Sequence, residues 1–356
     1  MNYAVIMAGG AGTRLWPISR ERLPKTALAL YSNQSMFQIT VERLAPLFSP
    51  QQIIVVAGAE HAAVLAEQVP EIPAENYILE PEGRGTAPAI ALAAIHLITR
   101  DPQASMAVLT ADHFIGKPKI FRQALAAALT VAQSDYLVTL GITPNSPSTE
   151  YGYIEQGEHF MNIDGFEVLK AKRFVEKPDL NTAQAMLEAG NYCWNSGMFI
   201  WKVSTILKAF ETFMPDLYQQ VLALRQTIGT KAYFDTLAQV WPGINKQTID
   251  YGIMEKAEHV AVLPVDIQWA DVGNWASLRQ LLSQDEHGNA IRGEAMLLDC
   301  QNNLVFADKR LIAAIGLEDL VVVDTPDALL ICHKDRVQEV RQVVERLKDT
   351  NRQDLI

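Results

Sequence analysis

Up to about residue 140 the chain alternates short apolar runs with stretches whose apolar residues recur every three or four positions. The runs are "YAVIMA", "QIIVVAG", "NYILE", "SMAVLTAD" and "YLVTLG". Between them lie "SMFQITVERLAPLF", "EHAAVLAEQV", "TAPAIALAAIHLIT" and "KIFRQALAAALTVAQS". Short apolar runs giving way to a three- and four-residue spacing predict strands and helices in turn. Strand–helix alternation implies an α/β fold: a Rossmann-like, mostly parallel sheet with helices on both faces. Ligands in such folds bind outside the carboxyl ends of the strands, so the residues just after each run carry the interest.

From 150 to 288 the alternation loosens. Strands are predicted at "YGYIEQG", "FEVLKAKRFVEKP", "GMFIWKV" and "VAVLPVDIQWADV", with helices at "LNTAQAMLEAG" and "STILKAFETFM". This reads as a mixed extension of the same sheet. Past residue 289 come five short strands, "EAMLLDC", "NLVFAD", "RLIAAIGL", "DLVVVDT" and "ALLICH", punctuated by Asp, Asn and Gly. Their regularity predicts a small β solenoid or meander. A charged helix, "KDRVQEVRQVVERLKD", follows. The polar stretch "SQDEHGN" (Ser283–Asn289) marks the boundary, giving domains 1–288 and 289–356. No internal repeat or low-complexity segment is evident.

The net charge of −11 argues against non-specific binding to nucleic acid or to an anionic membrane, since both attract basic surfaces. It leaves room for a small phosphorylated substrate, because local charge decides that. Cys193, Cys300 and Cys332 are scattered and form no CxxC, so neither a zinc site nor a disulfide framework is indicated. The seven histidines show no metal-ligand spacing. No basic stretch precedes the first strand, and "APAIALAAIHLI" is too short to span a bilayer; the expectation is a cytoplasmic protein.

The first strand breaks into "AGGAGTRLWPISRERLPK" (Ala8–Lys25). Glycines after a strand let backbone N–H groups turn toward an anion. Gly10 and Gly12 fit the dinucleotide fingerprint G-x-G-x-x-G, but its third position is Leu15, and no Walker A pattern is present. Arg14 can grip phosphate oxygens bidentately, and Lys25 supplies a movable point charge. Elsewhere, Glu80 ends a strand and Thr86 stands where it would cap a helix, with Pro88 in the first turn. Asp112 closes another strand in "AVLTADHFI".

The pattern "GGxGTRLWPxSRxxxPK" resembles the opening signature of the sugar-nucleotide pyrophosphorylases, the sugar-1-phosphate nucleotidyltransferases. Trp16-Pro17 and "SRERLPK" look most like the bacterial mannose-1-phosphate guanylyltransferases. The resemblance continues over about residues 3–340. "LEPEGRGTAPAIALAA" is similar to the family's "EPxxRNTAPAIALAA", which lies against the nucleotide base. "TADH" resembles "PADH", and "ADVGNW" resembles "ADVGSW". "EYGYIEQG", "FVEKP", "WNSGMFIW" and "IDYGIMEKA" match further family stretches. Gly85 stands where Asn is usual, Glu150 where Gly is common and Asn274 where Ser is usual, while "PKTALAL" replaces "PKQFLPL".

This resemblance implies the fold, with a left-handed β-helix-like C-terminal segment, and it implies an activity. GMP would pass from GTP to mannose 1-phosphate, giving GDP-mannose and pyrophosphate. Ala8, Gly9, Gly10, Gly12, Thr13, Arg14, Lys25, Glu80, Gly85, Thr86 and Asp112 would bind the nucleotide. Gly152, Glu176, Lys177, Asn195, Gly197 and Asp271 would bind the sugar phosphate, with Asp250 orienting neighbours. Asp112 and Asp271 would hold Mg²⁺, and Arg14, Lys25, Asp112, Lys177 and Asp271 would carry catalysis. A homodimer is implied, with the C-terminal segment as a dimerisation or packing module. Relatives that continue into a cupin-type isomerase domain lead to the expectation that this activity is absent here. The competing readings are a nucleotidyltransferase for heptose, fucose or glucose phosphate, a silent nucleotide-sugar-binding paralogue and, more distantly, a nicotinamide dehydrogenase.

Overall fold

The structure is a computed structural model that describes residues 1–10 and 12–356. Ala11, a further position at which the glycine loop departs from its apparent relatives, lies outside the described residues. The chain forms two compact units. One comprises Met1–Ala8, Val41–Ala111 and Ile115–Trp269; the other comprises Gly9–Thr40, Asp112–Phe114 and Ala270–Ile356.

The strands through residue 265 are β1 (Asn2–Met7), β2 (Ile53–Gly58), β3 (Tyr77–Glu80), β4 (Ser105–Thr110), the short β5 (His113–Ile115), β6 (Leu137–Ile142), β7 (Tyr153–Ile163), β8 (Phe166–Val175), β9 (Tyr192–Lys202) and β10 (Val260–Val265). Among the described residues, the first unit holds a nine-stranded sheet ordered β3-β2-β1-β4-β9-β6-β10-β8-β7. β1 runs parallel to β2 and β4, β2 to β3, and β10 to β6. β9 is antiparallel to β4 and β6, and β7–β8 is an antiparallel hairpin. The central strands are buried along nearly their whole length, as in "IIVVAG" and "LVTLGI". Continuous apolar runs, rather than alternation, are what a sheet covered on both faces requires.

The helices are α1 (Met36–Leu44), α2 (Ala59–Gln68), α3 (Thr86–Arg100), α4 (Pro118–Val131), α5 (Leu180–Ala189), α6 (Val203–Phe213), α7 (Pro215–Arg225) and α8 (Tyr233–Val240). In α3, ten of fifteen residues are buried, five of them alanines that allow close approach of neighbours. It lies in the core with Phe199, Trp201, Phe210 and Trp241. No helix among the described residues is long and apolar enough to cross a membrane.

The run "VAVLPVDIQWADV" is two strands, β10 and β11 (Trp269–Asp271), because Gln268 takes a left-handed conformation, φ 51°, between them. β11 pairs with β5. The second unit continues with α9 (Trp275–Leu281), β12 (Ala290–Arg292), β13 (Ala295–Leu298), β14 (Leu304–Phe306), β15 (Ile312–Ile315), β16 (Leu320–Asp324), β17 (Leu329–His333) and α10 (Val340–Asp349). The closing helix is shorter than its pattern predicts, since Lys334–Glu339 winds as 3₁₀.

β12, β14 and β16 stack in parallel, β13 and β15 form a second parallel pair, and β17 ends the stack antiparallel to β16. This is a coil that repeats in geometry although the sequence shows no repeat. The repeat lies in the corners. Asn303 Nδ2 donates to Asn289 Oδ1 fourteen residues back (3.1 Å), and Leu320 N donates to Asn303 Oδ1 across seventeen (2.9 Å). Asp299 and Gly316, and Asn302 and Asp319, take left-handed conformations at equivalent corners. Three asparagines, two aspartates and one glycine are too few to register as periodicity. Asn303 is buried, and its Nδ2 also donates to Leu317 O at 2.8 Å. Asn303→Ala strands these donors and acceptors, so it should destabilise the coil by about 3 kcal/mol, read as a lower urea midpoint.

Candidate active site

In the second unit the site grows from the glycine loop. Gly10 (φ 109°) and Gly12 (φ 60°) hold conformations that L side chains rarely adopt. At Gly12 the constraint is also steric: a Cβ would stand 2.7 Å from Lys25 Cβ. Ser19 Oγ and Leu15 N both donate to Gly12 O, at 2.7 and 2.8 Å. Thr13, Arg14 and Leu15 form one 3₁₀ turn, and Lys25–Ala27 another. The loop is thereby closed against Lys25, with Leu15 buried beneath it.

Lys25 is itself buried, at 8% exposure. A buried ammonium needs a counter-charge. Its Nζ lies 2.5 Å from Asp112 Oδ2 and 4.0 Å from Asp271 Oδ1. Val272 N donates to Asp112 O at 3.3 Å, which ties the two carboxylate-bearing segments together. Asp112, His113 and Asp271 offer ligand atoms all within 4.8 Å of one another. His113 is missed by sequence spacing, because its partner Asp271 is far along the chain; its only local signal is adjacency to Asp112. A Cβ at Gly273 would lie 3.2 Å from Asp271 Oδ2 and 3.7 Å from Arg14 Nη2, so Gly273 leaves space beside both side chains. Asn274 caps α9, its Oδ1 accepting from Ala276 N and Ser277 N. Asn there does the capping that Ser would do. Gly9, Gly10, Gly12, Thr13, Arg14, Lys25, Asp112 and Asp271 thus belong to one unit.

Ala8, Glu80, Gly85, Thr86, Gly152, Glu176, Lys177, Asn195 and Gly197 belong to the other. Glu80 ends β3 at 8% exposure. Burial pushes its carboxyl up to about 7, and its Oε1 has no hydrogen-bond partner among the described residues. Gly85, not Thr86, is the N-cap of α3. Thr86 is the first helical residue, and its Oγ1 accepts from Ile249 N at 2.9 Å, a long-range partner that helix-capping rules do not anticipate. Gln247 N donates to Arg84 O (3.0 Å), and Ala87 N donates to Gln247 O (3.2 Å). Trp241 Nε1 donates to Glu82 O at 2.8 Å. Residues 82–87 are therefore braced by 241–249, a role the sequence does not announce.

A second polar cluster in this unit centres on Asn195. Its Nδ2 donates to Asp250 Oδ1 (2.6 Å), its Oδ1 accepts from Gly197 N (3.1 Å) and its own N donates to Gly152 O (2.7 Å). A Cβ at Gly152 would press on Glu176 Oε2, so a side chain there would displace the Glu176 carboxylate. Lys177 follows β8 in a left-handed conformation (φ 43°) with Nζ 3.1 Å from Glu176 Oε1. Burial raises the Asp250 carboxyl, the Asn195 hydrogen bond lowers it, and the Glu176 charge raises it again. Asp250 opens a π-helical turn, Asp250–Met254. The cluster brings together carboxylates and an amide suited to hydroxyl groups, beside the exposed Lys177 ammonium.

Comparison with known proteins gives a family. Residues 3–288 match the nucleotidyl transferase model, and residues 293–347 match a mannose-phosphate isomerase/GMP-like beta-helix domain. The chain is 40% identical to mannose-1-phosphate guanylyltransferase 2 of Escherichia coli O157:H7, over 99% of this chain and 75% of that one. It is 41% identical to the xanthan biosynthesis protein XanB of Xanthomonas campestris pv. campestris strain B100, over 98% of this chain and 73% of that one. A crystal structure from Thermus thermophilus, described as a mannose-1-phosphate geranyltransferase, superposes with a TM-score of 0.88 at 37% identity, over 98% of this chain and 99% of that one.

Gly85 explains one departure from the family pattern. Its φ is 91°, and a Cβ there would clash with Gln247 O, so this backbone cannot take the usual Asn unaltered. Gly85→Asn should destabilise the fold by about 2 kcal/mol from backbone strain alone, seen as a lower thermal midpoint.

Proposed function

Because the chain belongs to the nucleotidyl transferase family, we propose that it transfers GMP from GTP to α-D-mannose 1-phosphate, releasing pyrophosphate and forming GDP-mannose. The observation that carries this reading is the Lys25 ammonium set between Asp112 and Asp271 beneath a glycine loop. That combination suits phosphates and a divalent ion, and it offers no nucleophile of its own. None is needed, since a sugar phosphate is already an anionic nucleophile.

One phosphate oxygen of the sugar attacks the α-phosphorus of GTP in line. A new P–O bond forms, the bond to the β-phosphate oxygen breaks, and pyrophosphate leaves with that electron pair. The reactants repel, so catalysis is positioning and charge neutralisation. Gly9, Gly10, Gly12 and Thr13 turn backbone N–H groups toward the triphosphate, and Arg14 and Lys25 stabilise the departing pyrophosphate. Lys177 offsets the charge of the sugar phosphate, while Glu176, with Asn195 held by Asp250, Gly152 and Gly197, binds sugar hydroxyls.

Asp112 and Asp271 fit a divalent ion, because two carboxylates in reach of one another supply the oxygen donors that Mg²⁺ prefers while substrate phosphates complete its shell. Bound there, Mg²⁺ would supply charge neutralisation at the phosphate oxygens. Glu80, with an unpartnered buried oxygen, would accept from the donor edge of guanine, and Gly85 and Thr86 would also bind the nucleotide. Adenine presents no such pair of donors.

In sequence terms the catalytic domain is 1–288, and 289–356 is its coil and helix. A cytoplasmic homodimer is part of the reading; Met296, Leu298 and Ile315 are exposed apolar residues on the coil that a second copy would cover.

Pyrophosphate release from a matrix of nucleoside triphosphates and sugar 1-phosphates tests the proposal; GTP with mannose 1-phosphate should lead, and a clear preference for another pair overturns it. Lys25→Ala and Asp112→Asn should each cost about 2.7–4 kcal/mol in the barrier, a loss in kcat on the order of 10²–10³-fold, with circular dichroism unchanged.

The Glu80 shift sets two pH trends of opposite sign. Only the ionised carboxylate accepts both guanine donors, so GTP affinity should weaken as pH falls through about 7. Glu80→Gln should flatten that trend and reduce the preference for GTP over ATP, both read by calorimetry. For stability, a raised carboxyl is worth most below its ordinary value of 4.5 and loses that contribution as pH rises toward about 7. The Glu80→Gln variant should therefore gain stability relative to the parent across that window.

A further inference from the structure

The second unit has one apolar core, and both the glycine-loop segment and the C-terminal coil enter it. Leu15, Trp16, Leu28 and Leu30 pack with Val272 and Trp275, and with Ala290, Leu304 and Val321 of the coil. Polar ties follow the same route. Trp275 Nε1 donates to Trp16 O (3.1 Å), and Trp16 Nε1 donates to Leu355 O (2.8 Å). Two surface ion pairs, Arg20–Asp327 and Lys348–Glu21, add little, as exposed pairs do.

One tie is of a different kind. Arg292, at the end of β12, donates from Nη1 to Leu30 O and from Nη2 to Ser32 O, both at 2.8 Å. Its guanidinium lies over the Phe306 ring, 5.3 Å from the centroid. The fork of a guanidinium matches two carbonyls at once and is held flat by the ring, so it fixes backbone rather than merely attracting it. The backbone it fixes is the one that follows Lys25. Leu28 N closes the Lys25 turn by donating to Lys25 O (3.1 Å), and Leu28 O accepts from Met36 N (3.0 Å). Only Leu28 and Ala29 separate that turn from the first clamped carbonyl.

We propose that Arg292 is a positioning residue for nucleotidyl transfer: it anchors the Leu30–Ser32 backbone to the coil and so sets where the Lys25 ammonium stands against Asp112 and Asp271. The coil then serves the chemistry directly, as the mould of the Lys25 segment, in addition to any part it has in assembly. This rests on the functional reading above. It also accounts for "TALAL" beside Lys25: Ala27, Leu28 and Leu30 are buried, and the pieces they meet belong to the coil's own core.

The test compares Arg292→Lys with Arg310→Ala in the full chain. Arg310 is also a coil arginine, but it donates to Asp324 and to Thr325 O, inside the coil and away from the Lys25 segment. Lysine at 292 keeps the charge and loses the fork. Arg292→Lys should lower kcat about 10-fold or more, since displacements near 1 Å can cost 10²-fold, and leave KM for mannose 1-phosphate within about twofold. Backbone amides of residues 24–36 should exchange hydrogen faster by mass spectrometry, while Arg310→Ala stays at parental values in both readouts. Phe306→Leu, which removes the ring and keeps an apolar side chain, should show the same split at smaller size and serves if Arg292→Lys does not fold. Parental kcat and exchange in Arg292→Lys would overturn the proposal, as would equal effects in Arg310→Ala. If the parent chain releases no pyrophosphate, the functional reading fails, and the exchange comparison still decides whether Arg292 holds this segment.

Discussion

The second unit is organised around one buried ammonium. Lys25 has lost most of its water, and the carboxylates of Asp112 and Asp271 replace it. Gly12 must be glycine because Lys25 Cβ occupies the space where a side chain would go. Asp112 and Asp271 must approach each other despite their charge, and the cation between them makes that tolerable. Asp112 and Asp271 would hold a divalent ion, which would add positive charge beside Lys25. Such a cluster suits a reaction whose main obstacle is repulsion between anions.

That cluster depends in turn on where the apolar surface lies. Leu15, Trp16, Leu28 and Leu30 stand in short apolar runs on either side of the polar loop residues and are buried in the coil-containing core. The glycine loop is continuous with β1 in the chain, yet its side chains belong to the other compact unit. Apart from Ala8, the residues proposed for the triphosphate and metal are grouped in one unit, and those proposed for the base, the sugar and the sugar's phosphate in the other. Each group rests on a core with its own packing requirements.

Much of this was legible in the sequence, for reasons that differ by element. The β1–β6 alternation is strong because the central strands are buried on both faces and cannot be confused with amphipathic surface. Arg14 and Lys25 stood out as cations after a glycine loop and Asp112 as a carboxylate closing a strand, whereas Asp271 was reached through the family resemblance. What stayed hidden is long-range. His113 joins Asp271 across more than 150 residues. Thr86 looks like a cap and instead serves Ile249. The coil's repeat rests on a few corner residues with left-handed backbone, Asn302 and Asp319 among them, which periodicity cannot register. Gln247 acts through its backbone, so its side-chain identity carries no signal of the bracing it provides.

The incomplete dinucleotide fingerprint now has a physical cause. The third glycine of that motif lets a helix pack closely on the strand it follows. Here no long helix follows the loop; the chain makes a 3₁₀ turn, Thr13–Leu15, and must find another anchor. Leu15 supplies it by entering the core shared with Trp275 and the coil. A glycine at that position would leave the turn that carries Arg14 without this apolar attachment. A large apolar residue in place of the third glycine therefore suits a loop anchored by its own side chain rather than by a helix packed on the strand. Because Leu15 reaches the coil's core, the loop's departure from the fingerprint and the presence of a C-terminal coil are two sides of one packing solution.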